Sequence, residues 1–148
     1  RSLVFGTIDY ALDMALEGEW ATTIGLDHAA ATLATASRAA GIASPVAGVT
    51  VAIDDEARLR ADFERARAHG FGAKLCIHPR QIAAVHALLA PSDPELAWAR
   101  RVLAAAEAAG GSAVRLDGQM IDRPVIERAR RLLSRTPGGA SPASPNHP

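Results

Sequence analysis

Apolar positions in this chain follow two rhythms: short unbroken blocks, and longer stretches where they recur every three or four residues. The first block, Leu3-Val4-Phe5, runs into Gly6 and predicts a strand over residues 2–8. Residues 9–22 read as a loop or short helix with Trp20 anchored beneath it. From Ile24 to Ala40 the pattern is an alanine-rich helix, which Gly41 stops as a left-handed cap would. "VAGVTVAI" (46–53) is apolar and β-branched, the pattern of a strand covered on both faces. Asp54 or Asp55 then caps a helix that sets Leu59, Phe63 and Ala66 on one face and ends at Gly70. "AKLCI" (73–77) is a third strand, with Cys76 as a small buried apolar residue, and His78-Pro79 ends it and opens a helix to about Leu89. Ser92 to Glu95 is a capping box that starts a helix to Ala109, ended by Gly110-Gly111. Asp117-Gly118, between "SAVRL" and "QMI", predicts a two-residue hairpin turn, and Asp122 caps a last helix through Leu133.

This order predicts an α/β fold with a parallel sheet. Residues 1–109 form the strand–helix part and 110–135 a hairpin and helix extension. The Pro/Gly/Ser-rich stretch 136–148 is expected to be a disordered tail. In parallel α/β folds function gathers at the carboxyl ends of the strands. Asp9, Asp54/Asp55 and His78 all fall there, and neither a G-x-G-x-x-G nor a Walker A pattern is present.

Composition narrows the function classes. The 148 residues suffice for one domain with its own core, and 33 of them are alanine, which favours closely packed helices. Net charge is zero, so electrostatics gives no case for nucleic acid or an anionic membrane. Cys76 is the single cysteine, which forbids an intrachain disulfide and makes a cytoplasmic setting the expectation. No apolar run reaches membrane-spanning length. The sequence starts at Arg1, directly on a strand, and reads as the continuation of something longer.

Five stretches carry a resemblance: "VFGTIDYALDM", "ASRAAGIASPVAGVT", "HGFGAKLCIHPRQI", "PSDPELAWARRVLAAA" and "DGQMIDRPVIERAR". Their order resembles the citrate lyase beta-subunit-like family, which includes malyl-CoA and citramalyl-CoA lyases. The pattern G-F-x-x-K-x-x-I-H-P-x-Q (70–81) and M-I-D-x-P (120–124) are its most specific parts. The resemblance covers about residues 2–133. It implies the second half, strands six to eight, of a (β/α)8 TIM barrel with a C-terminal helix–hairpin–helix extension. It further implies Mg²⁺, an acyl-CoA substrate, cleavage to acetyl-CoA and a 2-oxo acid, and a homotrimer. The family's substrate arginine and metal-binding glutamate lie on strands that this sequence does not contain.

By the same resemblance Asp9 is expected to be a Mg²⁺ ligand; the alternative from the residues alone is a helix cap with Tyr10 and Leu12 beneath it. Gly6, Thr7 and Ile8 are expected to hold the oxo-acid carboxylate through backbone N–H groups, or else form a plain strand terminus. Asp122 is implied as a general acid/base reaching a neighbouring subunit's site; locally it is an ordinary N-cap. Lys74 is expected to meet a CoA phosphate or a barrel carboxylate, and His78 to touch substrate or brace the turn before Pro79. His28, His69 and His86 have no ligand-like spacing. One departure stands out: Leu26-Asp27-His28-Ala29-Ala30-Ala31 lies where relatives read roughly L-x-Y-A-R-S. Two other readings compete, a non-CoA 2-oxo-acid aldolase and a non-catalytic half-barrel assembly module.

Overall fold

Gly6 ends the first extended segment early, and a helix begins at once. The computed structural model describes residues 1–110 and 114–135, and the side chains of 19–23 lie outside the description. The elements are α1 (Thr7–Asp13), α2 (Glu19–Ala39), β1 (Val46–Ala47), α3 (Glu56–Ala68), β2 (Ala73–Lys74), α4 (Arg80–Leu89), α5 (Asp93–Ala108), β3 (Val114–Leu116), β4 (Gln119–Ile121) and α6 (Arg123–Ser134). The chain divides into two compact units, Arg1–Leu89 and Ala90–Pro148. The expectations for the Trp20 side chain, Gly111, the start of "SAVRL" and the tail from 136 fall outside the described residues.

In the first unit the expected parallel arrangement is present but short. Val4 bridges Val46 in parallel, and β1 pairs with β2 through Val46↔Ala73 and Ala47↔Lys74. The strands predicted over 2–8, 46–53 and 73–77 thus shrink to one bridge and one two-residue ladder. Thr7 and Ile8 belong to α1, where Tyr10 N–H already donates to the Gly6 carbonyl at 2.9 Å. The stretch 9–22, read as loop or short helix, holds most of α1 and about the first turn of α2. Asp55, not Asp54, caps α3 by accepting from Arg58 N–H at 2.9 Å; Asp54 pairs with Arg80 instead, at 2.6 Å.

The core of this unit forms where α2, α3 and α4 cover Phe5, Ala47 and Phe71. Leu59 and Phe63 are buried on the predicted face of α3, and Ala66 packs at its edge. Ala29 and Ala30 on α2 are small enough to let that helix approach the strand layer. Cys76 is half-buried against this core rather than enclosed, and its neighbours Leu75 and Ile77 are exposed.

The second unit follows the sequence closely. Ser92 Oγ accepts from Glu95 N–H while the Glu95 carboxylate accepts from Ser92 N–H, completing the capping box of α5. β3 and β4 pair antiparallel, Val114↔Ile121 to Leu116↔Gln119, across Asp117 (φ 52°) and Gly118 (φ 79°). Two successive left-handed residues are what a tight hairpin turn of this hand requires. Ala99 and Val102 of α5 pack with Ala129 and Leu132 of α6 over Ile121. Arg128 stacks 4.9 Å above the Trp98 ring. Among the described residues no helix is long and apolar enough to cross a membrane.

Candidate functional site

Gly6 is the N-cap residue of α1, so Asp9 occupies the third helical position. Its carboxylate folds back over the glycine: a Cβ at position 6 would stand 3.3 Å from Asp9 Oδ2. No side chain caps α1, and among the described residues no hydrogen bond or ion pair is found for the Asp9 carboxylate. The helix-cap alternative is therefore not realised. Leu12, expected to pack beneath, is 80% exposed, whereas Tyr10 does pack, edge-on to Phe5 at 5.3 Å. Thr7 and Ile8 contribute first-turn N–H groups, which have no acceptor within their own helix. Gly48 makes this turn possible. A Cβ there would meet the Phe5 carbonyl at 2.6 Å and Thr7 Oγ1 at 2.8 Å. Sequence reasoning passed over Gly48, although a glycine inside an apolar strand pattern is the usual sign of close backbone approach.

Thr7 and Ile8 also line an open cavity of about 1050 Å³ within the first unit, together with Thr50, Asp62 and Lys74. Gly6, Asp9 and His78 are not among its lining residues. The charges in this cavity are mutually engaged. Asp62 accepts from the Thr50 hydroxyl at 2.8 Å and pairs with Arg58 at 2.9 Å. Asp27 Oδ1 is shared by Arg65 Nε and His69 Nε2, each at 2.8 Å. The Arg65 hydrogen bond holds the Asp27 carboxyl below the usual range; burial opposes this and His69 assists. This link between α2 and α3 was not found from the sequence. The available signal was the four-residue spacing of Arg65 and His69, which puts both on one helix face.

Lys74 is the only lysine in the chain. Its Nζ donates to the Gly48 carbonyl at 2.8 Å. Burial pulls its ammonium below the ordinary value of 10.5, with Asp62 acting in the opposite direction. The sign follows by linkage. Below its folded-state pKa the group is charged in both states, and its desolvation penalty is fully present. As pH rises from there to 10.5 the unfolded chain binds the extra proton, so stability rises with pH. Lys74→Met removes that contribution. Urea denaturation at successive pH values should show the wild type gaining on Lys74→Met across this window; a constant difference would refute the assignment.

His78 Nδ1 accepts from Arg80 N–H at 3.2 Å, which braces the turn before α4. In the neutral ring the proton then sits on Nε2, leaving a donor there. Asp122 caps α6 by accepting from Val125 N–H at 3.2 Å, and its residue is exposed. Among the described residues no group of three or more His, Cys, Asp or Glu side chains is arranged to hold a metal ion. An unengaged carboxylate fits Mg²⁺, which takes hard oxygens and often only one or two protein carboxylates, as one ligand of a larger set.

Residues 28–137 match the model of a family described as a C–C bond lyase of the TIM-barrel fold. The citrate lyase subunit beta-like protein of Deinococcus radiodurans is 42% identical over 135 residues, covering 88% of this chain and 46% of that protein. The chain is also similar to a solved structure of CitE from Mycobacterium tuberculosis in complex with magnesium, acetoacetate and coenzyme A. That match has a TM-score of 0.75 and 32% identity, over 89% of this chain and 50% of the other. A citrate lyase from Burkholderia xenovorans LB400 matches with TM-score 0.77 and 27% identity, over 97% and 48% of the two chains. The chain thus spans about half the length of these relatives. With three quarters of its residues inside the matched model, this chain belongs to the C–C bond lyase family of the TIM-barrel fold, among the citrate lyase beta-like proteins.

Proposed function

We propose that the protein is a Mg²⁺-dependent lyase that cleaves a 3-hydroxyacyl-CoA of the citryl, malyl or citramalyl type to acetyl-CoA and a 2-oxo acid. In this reading the chain supplies strands six to eight of the barrel, and 110–135 is its extension. The observation that carries it is the unengaged Asp9 carboxylate, folded over Gly6 at the carboxyl end of a parallel strand. The magnesium and coenzyme A bound by the similar M. tuberculosis CitE support it.

Asp9 and a glutamate from outside this sequence would hold the metal. Bound there, Mg²⁺ supplies Lewis acidity to the oxygens of the 2-oxo acid. The first-turn N–H groups of Thr7 and Ile8 receive the substrate carboxylate, and Gly6 lets it approach the main chain. His78, protonated on Nε2, donates to a substrate oxygen. Lys74 serves a CoA phosphate by exchanging its bond to the Gly48 carbonyl. The Asp122 carboxylate of a neighbouring subunit of a trimer leaves the Val125 N–H and takes the hydroxyl proton. The carbon–carbon bond then breaks, the electron pair passes to the acyl carbon, and Asp122 returns the same proton to that carbon.

Incubating the intact native protein with Mg²⁺ and each of the three CoA esters tests the reading. Acetyl-CoA and 2-oxo acid should appear in equal amounts and cease with EDTA. Free CoA without 2-oxo acid would point to thioester hydrolysis and sink the lyase reading. Turnover of the free hydroxy acid would favour the aldolase alternative.

One observation favours the assembly-module alternative. Val4, Val46 and Ala73 share a row by register, and the two-residue strand period puts Leu75 and Ile77 on the same face. Val4, Leu75 and Ile77 are exposed there. In a closed barrel that inner face is filled by branched side chains. A half-barrel with this face uncovered would associate through it whether or not it catalyses.

A further inference from the structure

The parallel ladder between the two strand exits stops one rung early, and a side chain occupies the gap. Leu75 N–H donates to the Ala47 carbonyl at 2.9 Å. With a period of two, the next rung would run from Ile77 N–H to the Val49 carbonyl. Instead Ile77 N–H donates to Gln81 Oε1 at 3.0 Å, and Gln81 Nε2 donates to the Thr50 carbonyl at 2.9 Å. Gln81 sits in the first turn of α4 and is 1% exposed. Its amide therefore spans the two segments, accepting on one side and donating on the other; the bond to Thr50 is buried and the bond to Ile77 partly so.

Two further bonds join the same segments. Lys74 reaches the Gly48 carbonyl from one side, and Arg80 reaches Asp54 from the other. Those two are half-buried or exposed; the Gln81 link is the enclosed one. A buried bridge is costly to lose, because each backbone group it served is left unsatisfied. The segments it separates are residues 48–54 and the exit of β2, which carries His78 two residues beyond Cys76. Divergence of adjacent strand ends is how parallel sheets open a crevice for ligands.

We propose that Gln81 is a positioning residue: its amide replaces one rung of the ladder and fixes the separation of the two strand exits, holding His78 in place for substrate. The positioning role rests on the lyase reading; the rung itself does not. Gln81→Met keeps the length and loses both bonds. Gln81→Glu keeps the acceptor and, only when protonated, the donor. In the intact native protein both variants should retain the wild-type near-ultraviolet circular dichroism. Gln81→Met should lose at least tenfold in kcat with KM changed less than threefold, at every pH. Gln81→Glu should match it at pH 8 and recover toward wild type as the pH is lowered to 6, since the neutral acid restores both bonds. Amide hydrogen exchange should quicken at least tenfold at Ile77 and not at Leu75 in Gln81→Met. Folded variants with wild-type kcat, or equal losses without pH recovery, would overturn the inference. If the wild type has no lyase turnover, selective acceleration at Ile77 supports the rung and removes only the lyase reading; unchanged exchange at Ile77 overturns the inference outright.

Discussion

Replacing Asp9 with asparagine is expected to lower Mg²⁺-dependent turnover roughly 100-fold or more, about 2.7 kcal/mol of transition-state stabilisation, while the fold is retained. The argument rests on what the side chain does not do. Its carboxylate has no hydrogen bond or ion pair among the described residues, and the residue is exposed. Asparagine keeps the shape over Gly6 and one carbonyl oxygen, but it loses the negative charge that a hard divalent ion requires. The structural loss is limited to the interaction of a first-turn acid with the α1 dipole, about 0.3–1 kcal/mol. A helix-capping aspartate would behave otherwise, costing stability and sparing turnover. Mg²⁺ titration calorimetry, turnover at saturating Mg²⁺ and urea denaturation on the same variant separate the two. Full turnover at ordinary Mg²⁺ concentrations would remove Asp9 from the metal site and with it the observation on which the function rests.

What the sequence made legible was chiefly local. Asp55 at an N-cap, the Ser92/Glu95 box, the Asp117-Gly118 turn and Asp122 before α6 all act within four residues of themselves, and each is found where its pattern pointed. The strands were over-read. "VAGVTVAI" is apolar enough for a full strand, but only Val46 and Ala47 pair: beyond them Ile77 N–H, the next donor, goes to Gln81 Oε1, and Gln81 in turn bonds the Thr50 carbonyl. No periodicity announces that a distant glutamine will end a ladder. The Gln81 motif was visible as a string and mute as to its role. The Asp27 link to Arg65 and His69 was hidden for the same reason: these partners lie 38 and 42 residues further along the chain. Family resemblance pointed to Asp9, Lys74 and His78 as candidates, but it did not foresee that Thr7 and Ile8 are helical. That detail matters chemically, since a helix N-terminus offers converging N–H donors where a strand end offers them alternately.

Phe63→Ala is expected to lower unfolding free energy by about 3–5 kcal/mol, the range for deleting a fully enclosed aromatic side chain. Phe63 has 0% exposure, lies in the middle of α3 and belongs to the cluster that holds Phe5, Ala47 and Phe71 together. The same cluster includes Ala29, Ala30 and Ala47, and an alanine cannot extend to fill a void. Partial collapse would have to come from helix movement, which a close-packed interior resists. Phe63→Leu restores most of the volume and should cost less than about half as much. Urea denaturation should show the midpoint falling with the slope unchanged; a loss below about 1 kcal/mol would mean that the helix layer closes over the gap. The consequence reaches the candidate site through one ring. Phe5 contacts both Tyr10 of α1 and Phe71, at 5.3 and 6.4 Å between centroids. Gly6 to Asp9 follow Phe5 directly in the chain, so the layer that Phe63 fills is the support on which the α1 turn rests. Turnover of Phe63→Ala should therefore fall at temperatures where the protein is still folded, whereas Asp9→Asn should show its loss at every temperature and be as heat-stable as the wild type to within a few degrees.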